Sequence, residues 1–111
     1  METEKSLSQM RKGVLEFCVL SLLAGREAYA SDLIDKLKAS HLIVVEGTLY
    51  PLLTRLKNDG LLTYRWEESR SGPPRKYYRL TPLGQSYLQE LEKVWKDLVL
   101  SVENIMQLQN N

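Results

Sequence analysis

Three polar side chains share one face of a predicted helix and could contact a ligand together. Tyr50, Thr54 and Lys57 stand at positions i, i+4 and i+7, which share one face of a helix. The opposite face carries four leucines at helical spacing: Leu49, Leu52, Leu53 and Leu56. Such a polar face either contacts base edges or is simply the solvated face of an amphipathic helix. Spacing alone leaves both interpretations open.

A basic segment further along the chain has residues suited to phosphate binding. It carries three cations around a turn-forming Ser-Gly-Pro-Pro sequence: Arg70, Arg75 and Lys76. Glycine and proline stiffen such a turn, and cations at its end can neutralise phosphates. Gly47 and Thr48 add backbone N–H donors at the start of the polar helix, where the helix dipole favours a phosphate oxygen. Together these features favour duplex DNA as a partner.

The charge of the chain is balanced overall but uneven along its length. Lys and Arg number 15 against 14 Asp and Glu, which leaves a net charge of +1. Residues 46–79, which contain both polar segments, hold seven bases and four acids. The resulting positive field suits phosphates, although on its own it is a weak indication of a nucleic-acid partner.

The sequence offers no set of residues for catalysis or metal binding. Cys18 is the single cysteine, inside the apolar run 17–24, and His41 is the single histidine, in a linker. A His-Glu-x-x-His motif, a glycine-rich phosphate loop and a Ser-His-Asp set are all missing. We therefore expect no enzymatic activity, metal or cofactor. The apolar run is shorter than the roughly 20 residues that span a bilayer, so we also expect no membrane association and a cytoplasmic location.

The periodicity of apolar residues predicts the elements that position these side chains. Spacings of three and four predict helices over residues 6–24, 29–39 and 46–59. An alternation of two then predicts a hairpin, with strands over 62–67 and 75–80 and a turn over 69–74. Its aromatic residues are expected to fill the strands and their junction with the core: Tyr64, Trp66 and Tyr78. The fold class is thus α+β, mainly α with a two-stranded β wing.

The last predicted helix begins at Thr81-Pro82, a capping hydroxyl followed by a proline at the first helical position. Its apolar residues follow the spacing of a coiled-coil seam: Leu88, Leu91, Trp95, Leu98, Val102 and Ile105. A helix of roughly 25 residues is close to 40 Å long, more than so small a domain can cover. We therefore expect a winged helix-turn-helix domain at 1–81 and a dimerisation helix at 82–111, with a second copy as partner.

Three separated blocks closely resemble the signature of the PadR family of transcriptional regulators. They are 46–56 (EGTLYPLLTRL), 59–61 (DGL) and 75–81 (RKYYRLT), within a likeness that spans about residues 12–84. The resemblance implies a winged helix-turn-helix, dimerisation through the carboxy-terminal region and repression from a palindromic operator. The single helix after Thr81 is similar to the short subgroup of that family.

Carried over by position, the resemblance implies a set of DNA-facing residues on the third helix: Thr48, Tyr50, Pro51, Thr54 and Arg55. On the wing it implies three cations: Arg70, Arg75 and Lys76. One departure stands at the start of the second helix, where the family often has Tyr-Gly and this chain has Tyr29-Ala30. The methyl group of Ala30 leaves less room for close backbone approach at that position.

Two further interpretations stay open beside a DNA-binding repressor. Some short members of the family sandwich flat, drug-like molecules between tryptophans at the dimer axis, and Trp95 stands at a matching place. Trp95 equally fits a residue that only packs the dimer seam. A winged helix can also serve as a protein-interaction module without DNA.

Overall fold

The computed structural model describes residues 3–42 and 44–110, and the fold in these ranges is α+β, as predicted. It has four helices and one antiparallel pair of strands: α1 (Thr3–Leu22), α2 (Ala30–Ala39), α3 (Glu46–Asn58), β1 (Leu62–Ser69), β2 (Gly72–Leu80) and α4 (Pro82–Gln107), with a short 3₁₀ turn at Leu108–Asn110. The helix boundaries fall within a few residues of the predicted ones. None of the helices in these ranges is long and apolar enough to cross a membrane.

The core lies where α1, α2 and α3 meet. It includes eight side chains that are almost completely buried: Val19, Leu20, Leu23, Leu33, Leu49, Leu53, Leu56 and Leu62. Three of the four leucines predicted on one face of α3 are among them, and Leu52 is half-buried against the same core. Each buried leucine contributes about 1.5–3 kcal/mol to folding, so this face fixes how α3 is rotated. The other face of α3 is consequently turned outward.

A glycine ends α3 and turns the chain into the wing. Gly60 has φ +80°, a left-handed conformation that glycine adopts without steric cost. Its N–H donates to the carbonyl of Lys57, and the N–H of Leu61 donates to the carbonyl of Leu56, both at 3.0 Å. This pattern is a Schellman motif, which satisfies carbonyls at the helix end. It also directs Leu61 into the core immediately before β1 begins.

The wing is joined to the body of the domain by backbone hydrogen bonds. Ala28, between α1 and α2, donates to the carbonyl of Tyr78 at 3.0 Å and accepts from its N–H at 2.8 Å. Within the hairpin, Tyr64 pairs with Tyr78 and Trp66 pairs with Lys76. The wing is therefore held against the start of α2 and does not extend freely.

The predicted turn over 69–74 is wrong at both ends, because only Arg70 and Ser71 form the turn and Ser69 belongs to β1. Gly72, Pro73 and Pro74 belong to β2, and Ser69 pairs with Gly72 next to an irregularity in the register. A two-stranded sheet consists of edge strands only, and prolines are tolerated on an edge because no neighbour needs their missing N–H. The wing is accordingly longer than predicted, with Arg70 and Ser71 at its tip.

The beginning of α4 is part of the core. The side chain of Thr81 caps the helix by accepting from the N–H of Gly84 at 3.0 Å, and its hydroxyl donates to the carbonyl of Gly60 at 2.6 Å. Leu88 is only 5% exposed and packs in the core of its own chain. Our prediction that Leu88 lies in a dimer seam is wrong for that reason. Heptad spacing cannot tell a residue covered by its own domain from one covered by a partner.

Candidate nucleic-acid interface

A groove runs between the outward face of α3 and the wing. Its volume is about 460 Å³. One wall is formed by Tyr50 and Thr54 of α3, the other by the wing, and the start of α2 closes one end. We call it the wing groove and define it by six of its lining residues: Tyr29, Tyr50, Thr54, Trp66, Arg75 and Lys76. A smaller recess of about 120 Å³ continues along α3 as far as Lys57.

The structure brings together five of the predicted contact residues in this region. Tyr50, Thr54 and Lys57 are all exposed, on the side of α3 opposite its buried leucines. Arg75 and Lys76 of β2 face them across the wing groove and its extension. The two segments are far apart in sequence, and they lie next to each other because β1 contacts α3 directly and β2 bonds to Ala28, just before α2.

Aromatic rings hold the two wing cations of the groove. The Lys76 Nζ atom lies 4.7 Å from the centre of the Tyr64 ring and 5.6 Å from that of Trp66. The Arg75 guanidinium lies 5.3 Å from the centre of the Tyr29 ring. Such cation–π contacts fix where a charge stands without neutralising it. Both cations thus keep the ability to meet an anion in the groove.

Arg65 behaves differently and was not singled out from the sequence. Its side chain pairs with Glu27 at 3.0 Å and also with Glu67, while its guanidinium lies 4.8 Å from the centre of the Tyr77 ring. The hydrogen bond with Glu27 is the main reason that the pKa of Arg65 is raised above its ordinary value. Two carboxylates neutralise this cation, so it joins the wing to the α1–α2 connection and is not free for a ligand.

Two residues assigned to the DNA-facing set stand apart from the wing groove. Arg55 lies on the side of α3 nearer α1, where it pairs with Glu16 at 3.6 Å and with Asp59 at 3.5 Å. Thr48 is half-buried and lines a separate cavity of about 220 Å³. Its N–H, expected to be a free donor, donates instead to the carbonyl of Val45 at 3.0 Å.

The remaining predicted residues are exposed but do not line the groove. Pro51 stands on the outer surface of α3, and Arg70 stands at the tip of the wing. Pro51 lies inside the helix, near its start, where it cannot donate a helical hydrogen bond.

Sequence reasoning missed the contribution of α2 and misplaced one aromatic residue. Tyr29 is the N-cap residue of α2, where its N–H donates to the carboxylate of Asp32, and its ring packs against Tyr77 with 4.6 Å between ring centres. Next to it, the methyl group of Ala30 is buried, so alanine fits where the family often has glycine. Trp66 was expected inside the wing, yet it is 62% exposed and borders the groove. Alternation gives the face of a strand on which a residue stands but not what covers that face.

A second surface feature is an apolar groove between the first half of α1 and the second half of α4. Its volume is about 600 Å³, and it is bordered by Met10 and Val14 on one side and by Trp95 and Leu98 on the other. Trp95 is 41% exposed, with its ring centre 6.1 Å from that of Phe17. Four residues of the predicted seam are exposed: Trp95, Leu98, Val102 and Ile105. We call this feature the α1–α4 groove.

The described part of the chain does not bring three metal-ligating side chains together. Cys18 is partly buried, and burial raises the pKa of its thiol. The neutral thiol is therefore favoured, which fits a packing role better than a nucleophilic one.

Comparison with known proteins identifies relatives of this arrangement. A PadR-like transcription factor from Bacteroides fragilis is 63% identical in sequence, with a TM-score of 0.77 over 91% of this chain and 98% of that chain. A transcriptional regulator of Mycobacterium tuberculosis is 32% identical over 98 residues, which cover 86% of this chain and 89% of the relative. Both relatives are transcription regulators and not enzymes.

A third relative has been solved with its ligand. Bacillus subtilis PadR in complex with operator DNA is 26% identical, with a TM-score of 0.66 over 70% of this chain and 46% of that chain. Residues 19–90 also match the family model described as the transcriptional regulator PadR-like family. Since that match covers well over half of the chain, this protein belongs to the PadR-like family of transcriptional regulators.

Proposed function

We propose that the protein binds duplex DNA as a homodimer and represses transcription from a palindromic operator. The observation that carries the proposal is the convergence of the outward face of α3 and the two free wing cations on one groove. The same fold is seen on operator DNA in Bacillus subtilis PadR. The polar face of α3, or the wing cations, taken alone could simply be solvated. Their convergence on one groove is what favours DNA.

In this proposal α3 enters the major groove. Tyr50 and Thr54 contact base edges, and Lys57 reaches a phosphate at the far end of the helix. Arg75 and Lys76 contact the backbone beside that groove, and Arg70 at the tip reaches further along it. Thr48 and Pro51 are retained as contacts at the exposed start of α3. Arg55 would have to give up its two ion pairs to join them.

The exposed apolar surface of α4 supports the proposed dimer. Leu98, Val102 and Ile105 are exposed along a helix of 26 residues, and Met10 of α1, on the same groove as Leu98 and Val102, is exposed as well. Contiguous apolar surface of this kind marks interaction sites, and a second copy offers an identical surface in return. Leu91 is half-buried against the core and borders this surface. A two-fold dimer presents two α3 helices, which is the symmetry that reads an inverted repeat.

The proposal is tested by binding to DNA from the region upstream of the protein's own gene. We expect affinity for that duplex to exceed affinity for a scrambled duplex and to fall steeply with salt. Lys76→Ala is expected to weaken binding to both duplexes and to reduce the salt slope by about 1. Thr54→Ala is expected to narrow the difference between the two duplexes, at a cost of about 1–3 kcal/mol on the specific one.

Equal affinity of the wild type for both duplexes would contradict an operator-binding role. Equal effects of the two substitutions on both duplexes would show instead that α3 does not read bases. A reporter gene placed behind the upstream region separates repression from activation, since repression requires expression to rise when the protein is removed.

A second function, response to a planar aromatic effector, is favoured by the α1–α4 groove. Trp95 forms part of a wall that is almost entirely apolar, and a flat molecule can stack on an exposed indole ring. We expect such molecules to quench tryptophan fluorescence in the wild type and in Trp66→Phe, but not in Trp95→Phe. Quenching that survives in Trp95→Phe, or none across a broad panel of planar compounds, would contradict this role.

A further inference from the structure

Trp66 stands on the wall of the wing groove with most of its surface uncovered. Its side chain projects from β1 on the same side of the hairpin as Tyr64 and Tyr78, yet it is 62% exposed whereas Tyr78 is buried. A tryptophan side chain is large, so leaving it in water forfeits the gain of burying it. Tryptophan is also a residue that dominates binding when a partner covers it.

Neighbouring side chains hold the indole ring of Trp66 in position. Tyr64 meets it edge to face, with 5.8 Å between ring centres. Lys76 is its partner across the hairpin, and the Nζ atom lies 5.6 Å from the ring centre. These contacts restrict the ring while leaving much of its surface uncovered. Trp66 is thus ordered in advance for a neighbour that the single chain does not supply.

The charge of the wing groove indicates what that neighbour is. Lys76 and Arg75 line the groove, and its extension adds Lys57, whereas the described residues that line either of them include no carboxylate. An anionic ligand is therefore favoured. The opposite wall consists of Tyr50 and Thr54, so the ligand has to run alongside the outward face of α3.

A DNA strand beside the major groove meets all three conditions. It is anionic, it is continuous along a recognition helix, and its deoxyribose units offer apolar surface between phosphates. We propose that the wing groove seats the sugar–phosphate backbone of one strand, and that Trp66 contacts it directly. The indole ring packs on a deoxyribose, and its N–H, which can only donate, donates to a phosphate oxygen.

This inference rests on the proposed DNA binding and adds a distinct kind of contact to it. Arg75 and Lys76 act by neutralising phosphates and releasing counterions, so their contribution falls as salt rises. Trp66 carries no charge, and its packing and neutral hydrogen bond change little with salt. Part of the affinity of the wing for DNA is therefore independent of salt, and Trp66 supplies that part.

The experiment is a salt series of fluorescence-anisotropy titrations with a labelled duplex from the region upstream of the gene. Trp66→Ala is expected to weaken binding about tenfold at every salt concentration, equivalent to about 1.4 kcal/mol, with an unchanged salt slope. Trp66→Phe keeps a ring for packing but lacks the N–H, and it is expected to fall between wild type and Trp66→Ala. The matched control is Leu100→Ala, which removes a similarly exposed apolar side chain on α4.

Failure of this inference and failure of the proposed function give different results in this experiment. If the wild type binds and Trp66→Ala binds equally well, the inference is overturned while DNA binding stands. A reduced salt slope in Trp66→Ala, like that expected of Lys76→Ala, also overturns it, because the effect would then act through Lys76. No binding by the wild type even at low salt overturns both. A Trp95→Phe background gives a second readout that needs no variant of Trp66, since its remaining tryptophan emission must change when DNA is added.

Discussion

The carboxylate of Glu27 and the guanidinium of Arg65 lie 3.0 Å apart and join two parts of the chain that are 38 residues apart in sequence. Glu27 belongs to the connection between α1 and α2, and Arg65 belongs to β1. This ion pair, the backbone bonds between Ala28 and Tyr78, and the packing of Tyr29 on Tyr77 together set the position of the wing.

We expect removal of this ion pair to have a small effect on stability. Arg65 is about half exposed, and exposed ion pairs contribute little to stability because water and salt screen them. Glu27→Gln is therefore expected to lower the free energy of unfolding only slightly in urea titrations. The effect should shrink as salt is added. Glu68→Gln, on the same strand as Arg65, is the control, and a loss several times larger than expected would show that the pair does more than position the wing.

Gly84 is expected to be much more sensitive to substitution than Glu27, because it lies against the backbone of Leu61. A Cβ atom on Gly84 would collide with the backbone carbonyl of Leu61, and backbone cannot move aside as a side chain can. Gly84→Ala is expected to lower the free energy of unfolding by about 1–3 kcal/mol, as overpacking does in other cores.

The control for this prediction is Gly47→Ala, because nothing lies within 4 Å of the added methyl group. Alanine is the better helix former, so this change is expected to be neutral or to stabilise by up to about 1 kcal/mol. Urea unfolding of both variants is the measurement. If Gly84→Ala were as stable as Gly47→Ala, the close approach of α4 to the end of α3 would be incorrect.

These contacts show which parts of the fold the sequence could predict. The apolar spacing of α3 corresponds directly to burial, so its bounds and its leucine face were predicted nearly correctly. Spacing carries no information on which neighbour covers a face, and Leu88 and Trp66 were misassigned for that reason. The approach of Tyr29 to the wing depends on the Ala28–Tyr78 backbone bonds, and hydrogen bonds between distant segments leave no periodic trace in a sequence.

The candidate site was predicted in the same uneven way. Helical periodicity placed Tyr50 and Thr54 on the outward face of α3 without deciding what that face contacts, and the basic segment pointed to Arg75 and Lys76. In the sequence, Arg65 cannot be told apart from an arginine that binds a ligand. Only the positions of Glu27 and Glu67 in the structure show that it is neutralised. Ion pairing across the chain is a tertiary property.

The exposed apolar residues of α4 predict how to separate the proposed dimer. Leu98 is 52% exposed beside the α1–α4 groove, so a lysine there costs the single chain little but would bury a charge in a dimer contact. Leu98→Lys is expected to give a monomer in analytical ultracentrifugation and to lose operator binding. Leu100→Lys lies on the other side of the helix and should keep both properties. A dimeric Leu98→Lys protein would place the contact elsewhere.

Ionisation of Tyr78 is expected to lower the stability of the folded protein at alkaline pH. Burial, and to a smaller extent Tyr64 and Tyr50, raises the pKa of Tyr78 above its ordinary value of 10.0. Well below pH 10 the phenol is neutral in both the folded and the unfolded chain, so it gives no pH dependence there. Above that pH the unfolded chain loses the proton first, so the folded state is progressively destabilised until the pH passes the raised pKa.

The expected slope from this one group is at most about 1.4 kcal/mol per pH unit, since a single proton is released. The measurement compares urea unfolding of the wild type and of Tyr78→Phe between pH 9 and 11, so that contributions common to both proteins cancel. The variant should lose less stability over this interval, whereas Tyr87→Phe on the exposed part of α4 should follow the wild type. If Tyr78→Phe and the wild type lost stability in parallel, ionisation of Tyr78 would not be what opposes folding, and its hydroxyl would have to reach water in the folded state.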